Sequence, residues 1–109
     1  ALDCYRAPGY WDSVVGVTRL QTHCWFDGMP TNHDPWADVH AVAADLPPML
    51  VQNGAIFIRQ REAMMRDGRF VGDCPKLFEM SPIAGWDIDE EWQLRAAQEL
   101  VRYLTPCDP

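Results

Sequence analysis

The chain has 109 residues, of which 48% are apolar, and 16 acidic against 9 basic side chains give it a net charge of −7. That length fits one small domain, and the apolar content, with five tryptophans, predicts a modest core. The acidity excludes a basic face for nucleic acid or anionic lipid, and no apolar run is long enough to span a membrane.

Residues 1 to 8 read as the end of a helix stopped by Pro8 and Gly9, with no capping signal ahead of it. The pattern therefore opens in mid-architecture and predicts preceding sequence, lost or supplied by another chain. Asp12 to Thr18 is a β-branched run suited to a buried strand. From Gln21 to Asn32 the order apolar, turn, apolar predicts a hairpin, with Asp27 and Gly28 taking the positive φ angles of its tight turn. Residues 33 to 48, with Pro35, Pro47 and Pro48, read as loop. Met49 to Arg59 reads as a central strand, followed by a short helix from Gln60 to Arg66 closed by Asp67 and Gly68, on which Met64 and Met65 are expected to pack. Lys76 to Met80 alternates as a third strand. The last segment sets Trp92, Ala96 and Leu100 on one helical stripe, flanked by Leu94, Ala97, Val101 and Leu104. Strands alternating with helices predict an α/β unit, or α+β if it is an isolated half.

Cys4, Cys24, Cys74 and Cys107 form neither a zinc pair nor a secreted framework and read as free thiols. The start Ala1, Leu2, Asp3 has no basic n-region, so a cytoplasmic protein is expected. His23, His33 and His40 share no helix or strand face and are assigned no joint role.

Asp87 and Asp89 flank Ile88 ahead of the last helix. Carboxylates at i and i+2 on an extended segment point to one side and can converge on a hard cation such as Mg²⁺. Asp87 equally fits an N-cap with Glu90 at the capping-box position. Asn53 followed by Gly54 fits a bulge, Phe57 and Phe70 fit core positions, and Lys76 a solvated strand edge.

In order along the chain stand Val14 to Thr18; Asp27, Gly28, Met29, Pro30; Gln52, Asn53, Gly54, Ala55, Ile56, Phe57; Arg61, Glu62, Ala63; Phe78, Glu79, Met80; and Trp86, Asp87, Ile88, Asp89. This layout resembles the C-terminal half of the acylneuraminate cytidylyltransferases, which make CMP-sialic acid and related CMP-activated acidic sugars. The resemblance covers nearly all of residues 1 to 109. It implies the C-terminal part of a nucleotide-diphospho-sugar transferase-like fold, with an extended hairpin in residues 20 to 50 that makes a homodimer and reaches into the neighbour's site. It further implies Mg²⁺ held by Asp87 and Asp89, and an acidic-sugar pocket lined by Asn53, Phe57, Phe70 and Val71.

The chain departs from the family pattern in several places. Val71 stands where a second aromatic is frequent, and Phe57 lacks the usual tyrosine hydroxyl. Ala43 and Ala44 stand before Asp45, Leu46 and Pro47 where the family carries Arg-Gln. The glycine- and lysine-rich CTP loop and the first metal aspartate are absent, so no catalytic residue is assigned and whether the chain is itself an enzyme stays open. Two expectations follow: a C-terminal half of a CMP-acidic-sugar cytidylyltransferase, inactive without a CTP-binding half, or a non-catalytic binding or assembly module derived from that family.

Overall fold

The computed structural model describes residue 9 and residues 11 to 105. The helical stub expected over residues 1 to 8, Cys4 and Cys107 lie outside the described residues. The elements in order are β1 (Ser13–Leu20), β2 (Trp25–Phe26), β3 (Met29–Pro30), a single 3₁₀ turn (Ala43–Asp45), β4 (Met49–Arg59), α1 (Arg61–Asp67), β5 (Pro75–Met80) and α2 (Glu91–Leu104). The class is mixed α/β, built on a three-stranded sheet ordered β4-β1-β5. β1 runs antiparallel to β4 and parallel to β5. A strand flanked on both sides and packed on both faces carries a continuous apolar run, and β1 is buried from Ser13 through Val17.

The register between β1 and β4 contains a wide bulge. Val15 pairs with Phe57 and Val17 with Gln52, so the single residue Gly16 faces the four residues Asn53 to Ile56. Gly54 absorbs the turn at φ 72°, and Asn53 Oδ1 accepts the Ala55 N–H at 3.1 Å, closing a side-chain-to-backbone turn inside the strand. Gly16 makes room for it: a Cβ there would lie 2.9 Å from Asn53 Oδ1 and 3.0 Å from Met80 Sδ.

The β2–β3 hairpin is short, and its turn carries Asp27 at φ 50° and Gly28 at φ 76°, the type I′ geometry that matches strand twist. Two side chains tie it to the loop that follows. Asn32, 8% exposed, donates to Thr22 O at 2.7 Å and Pro47 O at 3.1 Å and accepts the Cys24 N–H at 2.9 Å. Gln21 donates to the carbonyls of Ala43 and Leu46.

α1 ends where Gly68 turns left-handed at φ 69° and gives its N–H to Met64 O at 2.8 Å. Met65 on this helix is exposed, contrary to the packing role expected for it. α2 starts differently from the sequence reading. Its N-cap is Glu90, and the box partner is Gln93, whose Oε1 accepts the N–H groups of both Asp89 and Glu90 at 2.7 Å. Asp87 is thus too far upstream to cap the helix.

The buried apolar side chains among the described residues are Val14, Val15, Val17 and Leu46. The tryptophans, expected in the core, are all at the surface: Trp11 44%, Trp25 54%, Trp36 72%, Trp86 37% and Trp92 58% exposed. α2 keeps its amphipathic pattern yet buries no residue. The radius of gyration is 17.9 Å, against about 13 Å for a closely packed chain of this length. Among the described residues no helix is long and apolar enough to cross a membrane.

Candidate functional site

A groove of about 460 Å³ opens where the end of β1 and the start of β4 meet the loop leading into α2. Thr18, Asn53, Gly85, Trp86, Asp87 and Trp92 are among its walls. Asn53 sits at its base because the bulge turns that side chain inward. It is 6% exposed, and its Nδ2 donates to Thr18 Oγ1 at 3.1 Å and Met80 Sδ at 3.4 Å. Its Oδ1 accepts the Ala55 N–H at 3.1 Å and packs against Gly16 of β1. Gly85 is buried on top of this amide, and a Cβ there would overlap Thr18 Oγ1 and Asn53 Nδ2. The Ser81–Gly85 turn, closed by the Gly85 N–H on Ser81 O at 2.9 Å, therefore rests on Asn53 and delivers Trp86 and Asp87 to the rim.

Trp86 and Trp92 meet edge to face with centroids 6.2 Å apart. Each indole N–H is taken, by Gln93 O at 3.1 Å and Glu90 Oε2 at 2.5 Å respectively, so the pair offers the groove apolar faces. The sequence reading gave Trp92 to a helix stripe and did not join it to Trp86. The capping box at Glu90 is the signal that relates them, since it fixes where the helix begins.

Asp87 lines the groove, whereas Asp89 lies outside its walls and gives its backbone N–H to Gln93. Both are exposed and lie on irregular backbone rather than a strand. Among the described residues no group of three or more His, Cys, Asp or Glu is placed to hold a metal ion. The pair therefore offers at most two oxygen-bearing side chains, short of a complete Mg²⁺ shell.

Phe57, Phe70 and Val71 are not in this groove. The bulge separates Phe57 from Asn53, and Phe57 lies against Phe70 with ring centroids 5.8 Å apart and planes tilted by 36°. Phe57 and Phe70, expected at core positions, are exposed at 36% and 67%, and Val71 is half-buried. The proposed sugar-binding residues thus fall into two groups, Asn53 beside Asp87 and the phenylalanine pair with Val71. Lys76 faces neither: its Nζ stands 5.0 Å over the Trp11 ring.

A charged network ties together the elements that carry the phenylalanine pair. Arg59, whose side chain is 5% exposed, binds Asp67 with two hydrogen bonds of 2.6 and 2.7 Å and the carbonyl of Arg69 at 2.9 Å. The Arg59 hydrogen bonds, then the Arg69 N–H, hold the Asp67 carboxyl well below the usual carboxylate range. Burial pulls the Asp12 carboxyl upward, but the Ser13 hydroxyl and the N–H groups of Cys74 and Asp73 outweigh it and the net displacement is downward. Arg19, 2.7 Å from Glu79, lowers the Glu79 carboxyl.

In the hairpin region His23 and His33 meet edge to face at 5.0 Å, and Trp25 lies 5.2 Å from His33 and 6.5 Å from Trp36. No helix or strand period relates these residues, which is why sequence spacing missed the cluster. The chain matches no family model and no curated protein.

Proposed function

We propose that this chain is the acidic-sugar side of a CMP-acidic-sugar cytidylyltransferase, the C-terminal half of a nucleotide-diphospho-sugar transferase-like fold that a CTP-binding half must complete. The observation that carries the reading is the groove: Asn53 and Asp87, which the resemblance ties to sugar and metal, are far apart in sequence and line one cavity. The unfinished core supports it as well, because five exposed tryptophans and an unpacked α2 are what a domain cut through its middle would leave.

In the reaction the sugar's anomeric hydroxyl attacks the α-phosphorus of CTP and loses its proton to solvent. The new oxygen–phosphorus bond forms as the bond from the α-phosphorus to the α,β-bridging oxygen breaks and pyrophosphate departs. Mg²⁺, when bound, would neutralise the phosphates. Asp87 and Asp89 would lend it carboxylate oxygens, with water, phosphate and the other half supplying the remainder. Asn53 would border the sugar from the base of the groove, and Phe57, Phe70 and Val71 would give an apolar wall to the sugar's side chain. The setting in this reading is cytoplasmic, consistent with free Cys24 and Cys74.

The reading predicts that N-acetylneuraminate stabilises the chain, by about 2.7 kcal/mol at a hundredfold excess over the dissociation constant. A thermal melt that moves with this acidic sugar and not with a neutral hexose fits. A melt indifferent to both defeats the reading.

A second reading, a non-catalytic assembly module, rests on the exposed Trp25, Phe26, Met29 and Trp36 around the hairpin and on Ala43 and Ala44 where a cation is expected. Light scattering decides its core claim: a monomer at high micromolar concentration removes the homodimer assigned to residues 20 to 50.

A further inference from the structure

The connection from Gly68 to Cys74, between α1 and β5, is held at both ends, and the Arg69 guanidinium reaches across it to Asp73 Oδ1 at 3.0 Å. At its start Arg59 grips Asp67 and the Arg69 carbonyl, and the Arg69 N–H donates to Asp67 Oδ1 at 3.0 Å. At its end the Asp12 carboxylate takes the Asp73 N–H at 2.8 Å and the Cys74 N–H at 3.1 Å to each oxygen. The Asp12 N–H returns a bond to Cys74 O at 3.1 Å. Ser13, fully buried, donates its hydroxyl to Asp12 Oδ1 at 2.9 Å and accepts the Gly72 N–H at 3.0 Å. Three successive N–H groups, those of Gly72, Asp73 and Cys74, thus converge on two neighbouring side chains at the start of β1. Gly72 must be glycine for this approach, since a Cβ would overlap the Asp12 carboxylate.

Between the two anchors stand Phe70 and Val71. An aromatic that is 67% exposed keeps one position only if its backbone is fixed from outside, because a mobile connection lets the ring leave Phe57. We propose that Asp12, acting with Ser13, is a positioning residue: it fixes the 68 to 74 connection so that Phe70 and Val71 stand beside Phe57 as a rigid apolar wall for the acidic sugar. For its ligand the proposal rests on the reading above; the clamp itself stands on the geometry.

The test compares the wild-type chain with Asp12→Ala and Asp12→Asn. The Phe57–Phe70 ring-to-ring NOE, the amide signals of residues 70 to 73 and the affinity for N-acetylneuraminate are read for each. In Asp12→Ala the NOE is lost and the 70 to 73 amides broaden while β1–β4 cross-strand NOEs persist. Sugar affinity falls about tenfold, the ordering cost of the two freed side chains. Asp12→Asn, which keeps one acceptor oxygen, recovers part of both. An NOE that persists in Asp12→Ala overturns the proposal. If Asp12→Ala does not fold, Asp12→Asn alone decides, and a loop spectrum and NOE equal to wild type overturn it. A wild-type chain that ignores the sugar defeats the functional reading but leaves the clamp to be judged by the NOE.

Discussion

Asn53 reaches β1 through Thr18 and β5 through Met80, while its own Oδ1 closes the Gly54 turn in β4. Asn53→Ala therefore removes three hydrogen bonds at a site 6% exposed and leaves the Thr18 hydroxyl and Ala55 N–H without these partners. The expected cost is about 1–3 kcal/mol, read as a lower urea midpoint at unchanged slope; no loss of stability would deny the residue its structural role. The carboxylates make a second prediction. Asp67, Asp12 and Glu79 all have folded pKa values below their unfolded ones. Their contribution is fully present above the unfolded values of about 4 and is lost as pH falls through the folded values. The urea midpoint should stay level from neutral pH to about 5 and drop as pH falls below about 4, most gently for Asp67→Asn. An unchanged midpoint at pH 3 contradicts the Arg59 and Asp12 contacts.

At the scale of elements, the local signals that involve few residues were the most legible. β4 has the bounds Met49–Arg59 that its apolar run indicates, but it lies at an edge of the three-stranded sheet and is largely exposed, and the central place expected for it goes to β1. The Asp27–Gly28 turn and the Gly68 helix stop sit where positive φ is needed. What the sequence hid depends on contacts distant along the chain. The four-against-one bulge is visible only once Gly16 is placed opposite Asn53 to Ile56, and an Asn-Gly pair alone indicates a turn but not its width. Likewise Glu90 is a weak N-cap by propensity, and only the Gln93 side chain folding back makes it the helix start. That start bears on the aspartates. Since neither side chain caps α2, Asp87→Asn with Asp89→Asn should leave the melting temperature within the range of an ordinary surface change, about 0.5 kcal/mol, while abolishing any Mg²⁺-dependent response to CTP. A marked drop in melting temperature with Mg²⁺ response intact would return the pair to a structural role.

Across the whole molecule, composition misled where the strands did not. A content of 48% apolar residues predicts a filled core, but hydrophobicity states how much surface should be buried and not which chain buries it. Here Val14, Val15 and Val17 of β1 are covered while Leu20, Leu94, Val101 and Leu104, the hairpin side chains Phe26 and Met29 and all five tryptophans are exposed. The second polypeptide proposed above would cover this surface. The groove and the phenylalanine pair sit at the two ends of the β4 bulge, and linear spacing gives no sign that Asn53 and Phe57, four residues apart, fall into two groups.

The most direct test is a residue-resolved amide NMR titration of the wild-type chain, first with N-acetylneuraminate and then with CTP and Mg²⁺. The account predicts shifts at Asn53, Phe57, Phe70 and Val71 with the sugar, and at Asp87 and Asp89 with Mg²⁺·CTP. A well-dispersed spectrum that none of these ligands moves would contradict it and leave assembly as the chain's function.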